Sequence, residues 1–398
     1  MLQSPVETTN RTTSVTSASA KVRIYADLAE LRPEYAALFN DGAGTFFSSL
    51  PWFENLYSTA LNPGERIRIF GVELDDAART PIVVLPTRYS PSNARPYRIK
   101  TLSGLSNFYT SLYEPIRDQQ HYSPSHLKAI VQAIRSDVIR WDAIDLKWLD
   151  RDSMLFNDLQ EAFRSTGMIV QTYFCSGNWY TPVNGMTFKE YFQGLRSSVR
   201  NIANSKNKKL ERSGRARFEI FTELSDLERA IEAYERVYAS SWKVAEPYPQ
   251  FVPGLIRTCA KQGWLRLGIA YVDNEPAAAQ FWIVSHGTAS IYKISYDKKF
   301  ASLSIGSFLT TRMMEYALDV DKVQEIDYLT GDDSYKKDWM SHRRERWGIL
   351  AMDPHTPQGA LAVARHVGGR AVKRFWKDIV SRSQINGRAP ARASKPNS

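Results

Sequence analysis

The chain has 398 residues, of which 43% are apolar, 12% aromatic and 24% charged, and it carries a formal net charge of +10. These are globular values, and no run approaches the roughly 18 apolar residues a membrane helix requires, so an integral membrane protein is excluded. The length exceeds what one core usually supports, which predicts two domains of roughly 150 to 180 residues, and the charge calls for an anionic partner without choosing among nucleic acid, phosphorylated cofactors, acidic glycans and anionic lipid.

Residues 1–20, rich in Ser and Thr, lack the apolar core of an export signal and predict a disordered tail. A first domain is expected over 21–168. It contains a hairpin of Ile67–Leu74 and Pro81–Leu85, helical spacing over 123–138, a strand at Ala143–Asp150 and a second helical stretch over 154–166. Leu102 to Tyr109 precedes a polar stretch and is read as lining the acceptor side of a site. The boundary is placed near residue 168, with Gly177 to Gly185 as a loop into a second domain over 169–355.

That domain repeats the order. Helical spacing over 188–211 and 225–241 leads to a hairpin of Leu265–Val272 and Pro276–Val284 around Asp273-Asn274-Glu275. A helix over 304–319 and a strand at Glu325–Leu329 follow, matching Ala143–Asp150. Two matches in the same order predict an internal duplication. The run from Arg196 to Arg217 holds eight basic residues and one acid, Glu211. Only Cys175 and Cys259 occur, without metal or disulfide spacing, which points to a reducing cytoplasm. Residues 356–384 read as a basic amphipathic helix suited to covering the second domain, a partner or an anionic membrane surface, and 385–398 as a loose tail.

Two adjacent stretches carry the chemistry. Ile291–Tyr296 reads as a strand, followed by a polar loop and a helix start at which Ser302 or Ser304 would cap and Gly306 would remove bulk. The unpaired N–H groups there suit a pyrophosphate over Ser302, Leu303, Ser304, Ile305, Gly306 and Ser307, with Lys298, Lys299 and Arg312 flanking it. Leu309, Met313 and Ala317 are expected to face the core. Next, Ile326 and Tyr328 alternate as a half-buried strand that stops at Gly331 and releases Asp332, Asp333, Ser334, Tyr335 and Lys336 at a strand end, where α/β folds hold ligands.

This order resembles the GNAT acyltransferase superfamily. The chain is similar to its CelD/BcsL-type, FemAB-like members over roughly residues 30–350, on Tyr296-Asp297, Ser304-Ile305-Gly306, Ile326-Asp327-Tyr328 and Gly331 to Lys336. Ile305 stands where such proteins commonly carry proline, and of the family's glycine loop only Gly306 is in place. The resemblance implies two tandem GNAT-like α/β domains with acyl-CoA, typically acetyl-CoA, as co-substrate and no metal. It further implies transfer to an amine, such as an amino sugar of an exopolysaccharide or envelope precursor, in a bacterial cytoplasm or at the inner face of the membrane. Asp332 or Asp297 would then serve as base, Tyr335 or Tyr296 as acid, and Lys336 as a holder of phosphate or carboxylate. The rivals are a FemAB-like transferase fed by aminoacyl-tRNA, the one case that brings in a nucleic acid, a metal-dependent glycosyltransferase using Asp332 and Asp333, and an inactive module. His286 and His342 have no Ser or Cys nucleophile motif beside them, which argues against a hydrolase triad. Glu235, Glu246 and Asp273 read as surface acids.

Overall fold

Alternating apolar residues between short polar turns set out the strands of this molecule, and apolar residues three and four apart set out its helices. The computed structural model describes residues 20–31, 33–41, 44–91 and 99–366. The first half runs β1 (Ala20–Tyr25), α1 (Pro33–Asp41), α2 (Leu50–Thr59), β2 (Arg66–Leu74), β3 (Pro81–Tyr89), β4 (Thr101–Gly104), β5 (Ile116–Arg117), α3 (Pro124–Arg135), β6 (Ala143–Asp150), α4 (Met154–Ser165) and β7 (Ile169–Pro182). Then come α5 (Phe188–Gly194), α6 (Ser197–Ile202), a π-helical turn (Ala203–Asn207), α7 (Lys208–Arg212), β8 (Ala216–Phe221), α8 (Leu227–Ala239) and α9 (Phe251–Lys261). The chain continues through β9 (Leu265–Val272), β10 (Glu275–Ser285), β11 (Thr288–Tyr296), a 3-10 helix (Lys298–Leu303), α10 (Ile305–Asp319), β12 (Glu325–Thr330), α11 (Lys336–Trp339) and β13 (His342–Met352).

Thirteen strands form one mixed sheet in the order β1-β2-β3-β4-β6-β13-β7-β12-β11-β10-β9-β8, with β5 added beside β3. Read inward from its two edges, the sheet repeats itself. Each half has antiparallel strands followed by one parallel pair: β4 with β6 through Thr101↔Ala143 to Ser103↔Asp145, and β11 with β12 through Thr288↔Glu325 to Ser290↔Asp327. The last strands of the halves are exchanged. β7, from the first half, pairs with β12, whereas β13, from the second, pairs with β6, and the two lie side by side at the centre. The halves therefore share hydrogen bonds across the middle of the sheet, which fixes the cleft between them.

Both predicted hairpins are present, and Asp273 (φ 49°) and Asn274 (φ 67°) make the second turn with the positive angles that a two-residue hairpin needs. His286 (φ 48°) and Gly287 (φ 74°) turn β10 into β11 in the same way. Leu309, Met313 and Ala317 are buried on the core face of α10, as expected. The structure corrects four other readings. Residues 177–182 belong to the 14-residue strand β7 rather than to a loop. Residues 188–211 are broken at Leu195, whose extended ψ of 158° ends α5. Neither Ser302 nor Ser304 caps α10 through its side chain, because the chain arrives through the 3-10 helix and leaves Ser304 left-handed at φ 55°. Finally, residues 326–329 are all buried, not half-buried, since the sheet is covered on both faces there. Of the expected basic helix, residues 357–366 are helical and the rest lies outside the described residues, as do both expected tails except Ala20. Among the described residues no helix is long and apolar enough to cross a membrane.

Candidate functional site

β11 and β12 are paired only as far as Ser290 and Asp327. Beyond that point β12 bulges: its register with β7 shifts between Asp327 and Thr330, Leu329 takes φ 55° and Gly331 φ 119°. Asp327 holds the bulge, accepting from Leu329 N at 2.6 Å and from Asn178 Nδ2 at 2.5 Å. Bulges at such places re-aim the chain, and here the two strands part. A cavity of about 180 Å³ opens where they do, lined by Ile291 to Ile294 on one side and Tyr328 to Thr330 on the other. Phe108, Tyr109 and Ser111 close it from the first half, which places the end of the Leu102–Tyr109 segment at the cavity wall.

The equivalent opening in the first half is filled. β6 kinks at Trp148 (φ 69°), whose carbonyl accepts from Tyr113 N at 3.0 Å. The Tyr113 ring lies so close to Gly104 that a Cβ on that glycine would meet it at 2.8 Å. Among the described residues, the second half keeps room for a ligand at its parting strands.

Lys243, Lys293 and Lys336 reach this cavity together with Asp333 and Tyr335. Lys336 is only 4% exposed, and its ammonium donates to the carbonyls of Tyr328 (3.1 Å) and Thr330 (2.7 Å). Burial lowers its pKa against the opposing pull of Asp333. Burial also lowers Lys243, helped by the like charge of Lys293, and raises the Tyr335 hydroxyl, which stays protonated. Behind the wall, Glu246 accepts from Lys293 Nζ (2.6 Å), Tyr238 (2.7 Å) and Tyr109 (2.6 Å). Burial alone would raise this carboxyl; the three donors overcome that and hold it below its usual range.

A lowered folded pKa has a definite sign. The Glu246 carboxylate stabilises the fold fully above the ordinary carboxylate pKa of about 4.3, and that contribution is lost as pH falls through its lower folded value. Wild-type protein should therefore lose urea resistance between about pH 5 and 3 more steeply than Glu246→Gln; equal slopes would refute a stabilising role for this charge.

The residues singled out in the sequence divide. Tyr335 and Lys336 line the cavity. Asp332 is not among its lining residues: Arg343 binds it bidentately at 2.8 Å on each oxygen, Trp179 Nε1 donates at 3.2 Å, and the Arg343 bond holds its pKa down, all of which make it a weak base. Tyr296 packs on Trp242 with ring centres 4.6 Å apart, and Asp297 caps the 3-10 helix through Lys299 N at 2.9 Å. At the start of α10, Ile305 is buried, the Gly306 carbonyl accepts from Gln280 and Thr310, and that of Ser307 from Thr311. Ser302 and Leu303 lie in the 3-10 helix. Lys299 is paired with Glu275, and Arg312 with Glu211 and Glu315, so Lys298 is the expected cation that faces solvent without an acid.

Lys243, Lys293 and Glu246 were not legible as a site, whereas Tyr109 ends the stretch read as lining the acceptor side. Glu246 in particular is no surface acid, because its partners come from positions 109, 238 and 293. Among the described residues no group of three or more His, Cys, Asp or Glu is placed to hold a metal ion.

Residues 197–337, which contain the parting strands and the cavity's lysines, match the family model described as acetyltransferase (GNAT) domain. The chain carries a GNAT acetyltransferase domain and is an acyltransferase. Its overall fold is similar to that in the crystal structure of FemX, at TM-score 0.55 and 11% identity over 80% of this chain and 94% of that one. A conserved protein of unknown function from Bacteroides thetaiotaomicron VPI-5482 aligns at TM-score 0.51 and 10% identity, over 79% of this chain and 95% of that one. A tandem GNAT protein from the clavulanic acid biosynthesis pathway aligns at TM-score 0.47 and 9% identity, over 85% and 99% of the two chains. No curated protein sequence matches the chain.

Proposed function

We propose that this GNAT-fold acyltransferase passes an acyl group from a coenzyme A thioester to an amine, with the thioester entering between β11 and β12. The observation that carries the reading is the opening itself, at the parting strands of the second half, where three lysines converge. Past Ser290, β11 has no partner on its β12 side, so backbone N–H groups are free to donate to the acyl carbonyl, and the Lys336 ammonium adds positive charge where the oxyanion develops. The acceptor nitrogen attacks the carbonyl carbon, the C–S bond breaks, Tyr335 donates its proton to the departing thiolate, and Asp333 accepts the proton lost by the amine. Lys298, beside the start of α10, is placed for the nucleotide phosphates. Acetyl is the expected acyl group and an amino sugar of an envelope or exopolysaccharide precursor the expected acceptor, in line with the CelD/BcsL-type resemblance.

Thiol release from acetyl-CoA with a panel of amines tests this reading. Tyr335→Phe should lower kcat by about 100-fold or more and leave the KM for acetyl-CoA unchanged; unchanged turnover would remove Tyr335 from the proton path.

A second reading, transfer from an aminoacyl-tRNA, is favoured by one observation: Lys206, Lys208, Lys209 and Arg212 are all exposed on the π-helical turn and α7. It requires tRNA binding that weakens steeply with salt.

A further inference from the structure

The residues of β12 alternate between two cavities. Tyr328 and Thr330 line the one already described, and Glu325 and Asp327 line a second of about 150 Å³. Ser111 and Leu329 stand in the walls of both. The second cavity lies between β12 and the first half, closed by Thr45, Phe46 and Phe47.

Arg346 forms part of its wall and is 3% exposed. Its Nη2 donates to Asn178 Oδ1 at 3.0 Å and its Nη1 is ion-paired with Asp150 Oδ2 at 3.1 Å, whereas Nε makes no hydrogen bond. An unsatisfied Nε–H this deep costs about 1–3 kcal/mol and calls for an acceptor in the cavity. That acceptor need not be an anion. Arg344 is already shared between Glu325 (2.7 Å) and Asp327 (2.6 Å), and the lining carries two arginines against three carboxylates, Asp150, Glu325 and Asp327. A further negative charge would face that surplus in a poorly solvated space.

The wall therefore asks for lone pairs at Arg346 and for donors at the carboxylates. Ser285, Thr288 and Ser290, which do either, stand on the adjoining strands, and Phe46 supplies an apolar side. Hydroxyl groups donate and accept from one atom, and a pyranose ring presents several around an apolar face. We infer that the second cavity binds a neutral, hydroxyl-bearing ring of monosaccharide size, with Arg346 donating to its oxygens and Asp150 and Asp327 accepting from its hydroxyls. Because the two cavities share a wall, a group carried on that ring reaches the first; this consequence rests on the acyl-transfer reading, whereas occupancy of the second cavity does not.

Saturation-transfer NMR on the full chain with glucose and N-acetylglucosamine, and with glucuronate and inorganic phosphate as charged comparators, tests the inference. The neutral sugars should bind in the millimolar range, and Ser290→Leu, which fills the cavity from β11, should weaken them by about tenfold. Arg346→Gln should weaken them similarly; should it fail to fold, Ser290→Leu, checked by near-UV circular dichroism, carries the test. Preferred binding of glucuronate or phosphate, sugar binding indifferent to Ser290→Leu, or no saturation transfer would each overturn it. Sugar binding without any thiol release from acetyl-CoA would sustain the cavity and count against the acyl-transfer reading alone.

Discussion

Replacing Lys336 with methionine is expected to lower acyl transfer by about 100-fold or more, the loss typical when a preorganised donor at a developing oxyanion is removed. The side chain lies at the floor of the opening, 4% exposed, with its ammonium fixed by the carbonyls of Tyr328 and Thr330. Methionine keeps the length and the apolar stem but leaves those two carbonyls without their donor, which adds a stability cost of about 1–3 kcal/mol. The two effects separate in the kinetics. A folding loss alone reduces the amount of active enzyme and yields to lower temperature, whereas loss of charge at the reacting carbonyl lowers kcat per folded molecule. Lys336→Arg should not restore activity, because a planar guanidinium cannot take the compact position between the two carbonyls. Stopped-assay kcat, normalised to the folded fraction by circular dichroism, is the measurement; a normalised kcat near wild type would exclude Lys336 from the chemistry.

Asn178→Leu is expected to be the most destabilising single substitution near the cleft, at about 3 kcal/mol or more. Asn178 is 1% exposed and uses both ends of its amide. Its Nδ2 donates to Asp327 Oδ1 (2.5 Å) and to the Leu329 carbonyl (3.1 Å), and its Oδ1 accepts from Arg344 Nε (2.8 Å) and Arg346 Nη2 (3.0 Å). Leucine has nearly the same shape but removes the acceptor of Arg344 Nε and of buried Arg346 Nη2, and the donor shared by Asp327 and the Leu329 carbonyl. Because β7, β12 and β13 meet at this residue, the cost falls on the exchanged strands that join the halves. Urea denaturation should show a lower midpoint with an unchanged slope, and acyl-CoA affinity should fall with the bulge it supports. A midpoint within error of wild type would mean that the arginines find other partners.

What the sequence disclosed was local. The hairpins and their turns follow from period-two alternation and from Asp273-Asn274 and His286-Gly287, which accept positive φ, and the break after β12 follows from Gly331. The repeated order of elements was visible for the same reason, and the mixed α/β fold with it. β7 was hidden because Gly177, Asn178 and Pro182 are turn-forming residues, while the pairing that makes them a strand comes from β12 and β13, about 150 positions away. Gly177 answers a different need: a Cβ there would collide with the Asp332 carboxylate. Within the site, Tyr335 and Lys336 were found by density of polar groups after a glycine. Tyr109 was reached only as the end of the Leu102–Tyr109 stretch, and Lys243, Glu246 and Lys293 were not found, since the segments that carry them meet only when the sheet closes. The readiness of the α10 start for phosphate was overstated because pairing with Glu275, Glu211 and Glu315 cannot be read from Lys299 and Arg312 themselves.

Calorimetric titration of acetyl-CoA into wild-type protein and into Ile294→Trp, which fills the opening from β11, tests the central claim most directly. The account predicts micromolar binding to the wild type and a loss of at least about 100-fold in the variant, with its fold intact. Absence of heat with acetyl-CoA and with a longer acyl-CoA, or equal binding by both proteins, would contradict it.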